Sequence, residues 1–188
     1  MMSGIDTCYY STRVDTETCR CGHCNNVVAL DVYAKYKIGG ATLYSTGNCP
    51  FCKQPIIYDK IGEKVYPQVR EFSEVKHVPD DVNKLYNEIR DAYSVGAYTC
   101  CVITGRTLLA NIAVEQGAEE NKNFVYYVDY MVDNFLPKSN SKPWVDKVRL
   151  LGNESAHHFV IADKDKATTS LKFLEAILKN VYEFPNSI

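Results

Sequence analysis

The spacing of hydrophobic residues changes once along the chain, near residue 78. Before that point, short runs rich in β-branched and aromatic residues are separated by turn-forming residues. These runs are Asn26–Tyr33, Tyr36–Ile38, Ala41–Tyr44 and Pro55–Tyr58. Gly39-Gly40 separates the second and third runs, and a glycine pair permits the left-handed backbone of a hairpin turn. The pattern predicts β-structure for the first part of the chain.

Helical spacing begins directly after residue 78. The sequence Pro79-Asp80-Asp81 is a strong helix start, because aspartate suits the N-cap and favours the positive end of the helix dipole. Apolar residues then recur every three or four positions and form one face of a first helix. They are Val82, Leu85, Tyr86, Ile89, Ala92 and Tyr93.

Four more helices are predicted after the first. We expect the second at about Ala97 to Glu115, with Gly117 as a plausible C-terminal cap. The third covers about Asn123–Phe135, the fourth starts near Trp144, and the fifth covers about Lys166–Tyr182. Such lengths and linkers are typical of an antiparallel helical bundle.

Two C-x-x-C pairs interrupt the β-structure, Cys21-Gly-His-Cys24 and Cys49-Pro-Phe-Cys52. Structural zinc prefers four tetrahedral thiolates, and two residues between cysteines let one turn present both sulfurs to the same ion. A β-structure of this size buries too little apolar surface to be stable without such a staple. Cys21, Cys24, Cys49 and Cys52 are therefore the predicted ligands of one structural Zn²⁺.

Two residues beside the first pair offer alternatives, since Cys19 or His23 could replace one of the four ligands. A disulfide framework is the less favoured interpretation, because it is typical of secreted chains with a signal peptide. The predicted fold class is thus α+β. A small β zinc ribbon occupies residues 1–78, and an all-α antiparallel bundle occupies residues 79–188.

Charge and hydropathy narrow the function classes. The net charge is −2, with nine basic and eight acidic residues up to Val78, and twelve basic and fifteen acidic from Pro79 onward. Neither part attracts phosphate by bulk charge, so any contact with nucleic acid must be local. The sequence has no run of 18 apolar residues and no N-terminal signal pattern. We therefore expect a cytoplasmic protein without a membrane partner.

The helical part contains a line of polar residues with catalytic potential. Arg149, Asn153 and His157 are spaced i, i+4, i+8, so a continuous helix places them on one face. An arginine, an amide and an imidazole in this arrangement can hold a phosphodiester and move a proton near neutral pH. The alternative is that they only fix helix packing, and Gly152 could interrupt the helix.

Other polar and aromatic residues of the helices are weaker candidates. Arg106, on the second helix, could reach into the same cleft or pair with a carboxylate. Tyr126, Tyr127 and Tyr130 could stack on bases, although tyrosines at helical spacing more often belong to a core.

The part from Pro79 to Pro185 resembles a helical domain-of-unknown-function family found in bacterial defence loci and beside type I restriction subunits. Members often carry a C-x-x-C…C-x-x-C ribbon ahead of the helices, as this chain does. The matching features are Pro79 to Val82, Ala97 to Leu109, Trp144 to Arg149, Gly152 to His157 and Leu174 to Pro185.

This family is similar to the HEPN (higher eukaryotes and prokaryotes nucleotide-binding) bundles, several of which are dimeric, metal-independent ribonucleases. Those enzymes use an arginine and a histidine separated by four to six residues, with a polar residue after the arginine. Here seven residues separate Arg149 from His157, and Leu150 follows the arginine.

The resemblance implies a binding module of a prokaryotic defence or restriction-type system that binds nucleotide, nucleic acid or a partner protein. A homodimer is the oligomeric state it implies. One alternative is an endoribonuclease in which His157 or His158 acts as base and Arg149 or Arg106 stabilises the charged transition state. The other alternative is a purely structural adaptor.

Overall fold

The computed structural model describes residues 7–10, 16–137, 142–153 and 161–187. The chain forms two compact units, Met1–Arg70 and Glu71–Ile188. The first is built from strands and the second from helices, so the predicted α+β class is confirmed. Among the helices in the described ranges, none is long and apolar enough to cross a bilayer.

In its described residues, the first unit, which we call the ribbon unit, contains a six-stranded antiparallel sheet. Its strands are β1 Thr7–Tyr10, β2 Thr16–Arg20, β3 Val27–Ile38, β4 Ala41–Asn48, β5 Pro55–Asp59 and β6 Lys64–Tyr66. The order across the sheet is β1-β3-β4-β5-β6, and β2 pairs with the first half of β3. Gly39 and Gly40 close the β3–β4 hairpin with φ values of 57° and 82°, as the glycine pair predicts.

One face of the sheet carries the core of the ribbon unit. Along β3 the buried side chains alternate with exposed ones, which is the two-residue period of a half-buried strand. The buried cluster consists of Cys19, Cys21, Val28, Leu30, Val32, Cys49 and Ile56. This core is small and includes cysteines of both C-x-x-C pairs, so its packing depends on how those cysteines are held together.

The helical unit contains five α-helices in its described ranges. They are α1 Asp80–Ser94, α2 Tyr98–Glu115, α3 Phe124–Phe135, α4 Lys142–Asn153 and α5 Lys164–Leu178. The chain continues from α5 as a π-helical turn, Lys179–Glu183, and a 3₁₀ turn, Phe184–Asn186. The five predicted helices are therefore present. The fifth is α-helical only to Leu178, four residues before its predicted end at Tyr182, and continues as the π-helical turn.

The apolar faces of the five helices meet in one core. Its largest fully buried side chains include Tyr86, Ile89, Leu108, Leu109, Ile112, Met131, Leu171, Phe173, Leu174 and Ile177. Helix α2 lies at the centre of this arrangement, packing against α1, α3 and α5. The core of the helical unit is thus much larger than that of the ribbon unit.

Residues 71–78 belong to the helical unit, although the change in hydrophobic spacing near residue 78 predicts them as part of the ribbon. The buried guanidinium of Arg90 donates to the carbonyl oxygens of Glu71 and Phe72 at 3.3 and 2.8 Å. The hydroxyl of Tyr86 donates to the carbonyl of Ser73, and Val75 is buried in the helical core. The compact units consequently divide after Arg70, not after residue 78, because α1 holds this segment.

Candidate functional site

The two C-x-x-C loops have the same backbone conformation. In the first, the amide of Cys21 donates to the carbonyl of Asn26, and the amide of Asn25 donates to the carbonyl of Cys21. In the second, Cys49 pairs in the same way with Gln54 and Lys53, and all four bonds measure 2.8–2.9 Å. The fourth residue after each leading cysteine is left-handed, with φ of 60° at Asn25 and 61° at Lys53. The two C-x-x-C loops are therefore equivalent turns, and we call them the first knuckle, at Cys21–Cys24, and the second knuckle, at Cys49–Cys52.

These knuckles bring four sulfur atoms together. The Sγ atoms of Cys21, Cys24, Cys49 and Cys52 all lie within 4.8 Å of one another. Sγ of Cys21 is 3.7 Å from that of Cys52, and Sγ of Cys24 is 3.7 Å from that of Cys49. Four sulfurs at about 2.3 Å from a tetrahedral ion are separated by about 3.8 Å. The spacing suits a four-thiolate metal site and is too long for a disulfide.

The thiols differ in how readily they ionise. Burial raises the pKa of Cys21 to about 12. The pKa of Cys24 is lowered to about 7, chiefly by the backbone amide of Asn26. Amides of His23 and Asn26 also point at sulfur, the first donating to Sγ of Cys21 at 3.3 Å. A divalent cation at the centre of the cluster would offset the burial cost of the thiolates.

Cys19 and His23, the predicted alternative ligands, lie outside the four-sulfur cluster. Cys19 is a buried residue of β2 and packs in the core of the ribbon unit. The Nε2 atom of His23 lies 3.1 Å from the carbonyl oxygen of Pro55. Neither side chain belongs to the four-sulfur cluster. The side chain of Cys8 lies outside the described residues.

Gly22 lies where the first knuckle meets another stretch of backbone. A Cβ atom placed on Gly22 would lie 1.8 Å from the carbonyl oxygen of Pro67. No real contact is that short, so only glycine fits between the two cysteines here. The sequence shows this glycine, but the contact with Pro67 depends on the folded sheet.

The second face of the sheet presents tyrosines to solvent. Tyr36 and Tyr44 are directly opposite each other on β3 and β4, and Tyr66 is opposite Ile57 on β6 and β5. A bulge in β3 at Tyr33 brings that residue to the same face. We call the group Tyr33, Tyr36, Tyr44, Ile57 and Tyr66 the tyrosine face. Its members are 37–45% exposed.

Arg149 pairs with two carboxylates of the helical unit. Its Nε atom donates to Oδ1 of Asp129 on α3 at 2.7 Å, and its Nη1 donates to Oδ1 of Asp146 on α4 at 2.6 Å. The hydrogen bond to Asp129 is the main cause of the raised pKa of Arg149. The positive charge of Arg149 is therefore compensated within the unit.

The structure describes the other residues of the predicted polar line, Asn153 and His157, only in part. Helix α4 continues through Gly152 to Asn153, so that glycine does not interrupt it. Arg149 and Asn153 share this helix one turn apart, whereas the side chain of Asn153 lies outside the described residues. His157 and His158 also lie outside them, so the alignment of the three residues stays a prediction.

The three tyrosines of α3 have structural roles. The hydroxyl of Tyr130 donates to the carbonyl of Gln116 at 2.7 Å, while those of Tyr126 and Tyr127 accept from the amides of Glu119 and Lys122. All three contacts lie on the connection between α2 and α3. The packing interpretation of these tyrosines is therefore the better one.

Arg106 contacts a different part of the helical unit from Arg149. Its guanidinium carbon is 4.8 Å from the centroid of the Phe124 ring, and burial lowers its pKa. It lines a cavity of about 280 Å³ together with Lys122 and Tyr127.

Comparison with known protein families gives a match that falls in the helical unit. No curated protein and no solved structure matches the sequence. The family model described as a domain of unknown function, DUF4145, matches residues 87–187. This match covers 101 of the 188 residues, which is more than half of the chain. The chain therefore belongs to the DUF4145 family.

Proposed function

We propose that this chain is a non-catalytic binding module. In it, a zinc ion bound by four cysteines holds a ribbon whose tyrosine face contacts single-stranded nucleic acid. The observation that carries this function is the group of exposed aromatic side chains on one face of the sheet. Large exposed apolar patches on a protein surface commonly mark interaction sites.

The choice of zinc follows from the donor set. Tetrahedral four-sulfur sites take zinc or iron, and two C-x-x-C knuckles with equal backbone geometry suit a closed structural zinc site. Zinc ligated by four thiolates has no open position for water. Its role is therefore to hold the two knuckles together and keep the small core of the ribbon packed.

Aromatic side chains on a sheet are a common platform for unpaired bases. Each base presents a flat face, and stacking on an aromatic ring contributes about 1–3 kcal/mol per base without sequence preference. Tyr36 and Tyr44 form the centre of the platform because they are cross-strand neighbours.

The charge of the ribbon unit limits the electrostatic contribution. Residues 1–70, which form the ribbon unit, contain eight basic and six acidic side chains. A zinc ion with four thiolates adds a charge of −2, so the ribbon unit with zinc bound has no net charge. Stacking must therefore provide most of the affinity, and the dependence on salt is shallow.

The test uses two double variants of the central pair. Fluorescence anisotropy would follow a labelled 12-nucleotide single strand, as RNA and as DNA, binding to the full chain. Tyr36→Thr/Tyr44→Thr removes both rings and keeps residues that favour strands. We expect it to weaken binding at least about ten-fold, the equivalent of one lost stacking contact. Tyr36→Phe/Tyr44→Phe retains the rings and is expected to bind like the unchanged protein.

Two results would reject nucleic acid as the ligand of the tyrosine face. One is the absence of single-strand binding by the folded protein at low salt. The other is equal binding by the threonine and phenylalanine variants, which would assign the affinity to another surface. A partner protein would then be the better ligand for this face.

The endoribonuclease alternative has less support. Arg149 would have to leave two ion pairs before it could stabilise a developing negative charge, and the pairing partners Asp129 and Asp146 would then repel that charge. The setting in a defence or restriction-type system, the homodimer and the likeness to HEPN bundles stay predictions from the resemblance.

A further inference from the structure

The helical unit contains a small cavity with a cationic lining, which is separate from the cysteine cluster and the tyrosine face. It opens between α2 and the start of α3 and has a volume of about 280 Å³. Its lining includes Ile103, Arg106, Thr107, Lys122, Phe124 and Tyr127. Most ligand pockets measure roughly 300–1,000 Å³. This cavity, the α2–α3 pocket, therefore suits a small polar group and not a peptide segment.

Arg106 is the more buried cation of the pocket. The guanidinium carbon of Arg106 lies over the ring of Phe124, 4.8 Å from its centroid. A guanidinium can bind phosphate oxygens through two parallel N–H bonds. Arg106 is half-buried, and it lines the pocket together with Thr107 and Lys122.

Lys122 brings a second positive charge to the same pocket. Its ammonium group lies 2.7 Å from a carboxylate oxygen of Glu119, and both side chains are largely exposed. An exposed pair of this kind contributes little to stability. The ammonium group can therefore turn from Glu119 towards a bound phosphate at small cost.

The backbone that carries Lys122 is held in place before any ligand binds. The hydroxyl of Tyr127 accepts from the amide of Lys122 at 3.2 Å, and the hydroxyl of Tyr130 donates to Gln116. These bonds fix the connection between α2 and α3. A site that is already ordered loses less conformational freedom on binding.

We propose that the α2–α3 pocket binds the phosphate of a phosphate monoester, held by Arg106 and Lys122. The exposed side chain of Ile103 offers apolar contact to the remainder of the ligand. The hydroxyl of Thr107 donates to the carbonyl of Ile103, so its oxygen can accept from a ligand hydroxyl or amino group. A nucleoside monophosphate and the 5′-phosphate of an oligonucleotide share this chemistry. The site lies in the helical unit and does not depend on the tyrosine face.

The test titrates the isotopically labelled full chain with AMP and with adenosine, followed by NMR. We expect AMP to shift the amide signals of Ile103, Thr107 and Phe124, and adenosine to bind at least about ten-fold more weakly. Arg106→Gln should weaken AMP binding about ten-fold or more, and Lys122→Gln by a smaller factor. Lys84→Gln removes an exposed lysine of α1 and should leave the affinity unchanged.

The source of the phosphate is decided with oligonucleotides in the Tyr36→Thr/Tyr44→Thr background, in which binding at the tyrosine face is weakened. Tighter binding of a 5′-phosphorylated strand than of AMP identifies a nucleic-acid end, and the reverse identifies a free nucleotide. The proposal is overturned if neither AMP nor the 5′-phosphorylated strand shifts the pocket signals. It is also overturned if Lys122→Gln, an exposed change that preserves the fold, binds AMP as tightly as Lys84→Gln.

Discussion

Gly22 illustrates how one missing side chain shapes the four-cysteine cluster. Its Cα lies so close to the carbonyl of Pro67 that a methyl group would overlap it at 1.8 Å. Packing of the first knuckle against the segment after β6 therefore requires glycine at this position.

We expect Gly22→Ala to destabilise the ribbon unit by about 2 kcal/mol or more, because backbone must move to relieve the overlap. The measurement is the rate of zinc transfer to a chromogenic chelator, which rises as the knuckle loosens. Gly62→Ala is the matched control, since its Cβ would meet only the side chains of Asp59 and Lys64. Equal transfer rates for the two variants would show that the contact with Pro67 is unimportant.

The sequence predicted best those residues whose arrangement depends only on near neighbours along the chain. Two residues between cysteines fix one turn, so the cluster of Cys21, Cys24, Cys49 and Cys52 was predictable from spacing. The ion pair of Arg149 was less predictable, because its partner Asp129 is 20 residues away in the sequence. The two side chains come into contact only when α3 packs on α4. The pairing of charges across helices is a property of the fold, which sequence spacing does not contain.

Strand β3 shows that the sequence pattern can predict an element without predicting which of its side chains share a face. Tyr33 and Tyr36 are three residues apart, which in a regular strand places them on opposite faces. The bulge at Tyr33 shifts the register and brings both to the tyrosine face. Runs of β-prone residues predicted the strand itself, but a bulge depends on pairing with β4.

Helix α1 holds the segment 71–78 through the buried cation of Arg90 and the hydroxyl of Tyr86. Arg90 is 3% exposed and binds two backbone carbonyls as well as Asn87. We expect Arg90→Met to lower the free energy of unfolding of the helical unit by about 2–4 kcal/mol, since buried acceptors lose their donors. Urea denaturation followed by far-UV circular dichroism measures it.

Lys84→Met on the same helix is the control for this change. Lys84 is exposed, so its replacement should alter the free energy of unfolding by no more than about 0.5 kcal/mol. Coincident unfolding curves for the two variants would contradict the role of Arg90 in holding this segment.

The protein as a whole has two cores of unequal size. Among the residues that the structure describes, the helical core contains 26 buried residues and the ribbon core seven, three of them cysteines. We therefore expect the helical unit to be stable through packing alone, and the ribbon to depend on a metal bound by its four clustered cysteines. The sequence predicted this division through its change of hydrophobic period, but the tertiary bonds of Arg90 and Tyr86 decide which unit takes residues 71–78.

The identity and ligands of the metal are tested most directly by X-ray absorption at the zinc edge on the purified protein. We expect about one zinc per chain, with four sulfur neighbours at about 2.3 Å and no nitrogen neighbour at about 2.0 Å. Iron in place of zinc, or a shell of three sulfurs and one nitrogen, would contradict the closed four-cysteine zinc site. A metal-free protein with a folded ribbon would contradict its structural role.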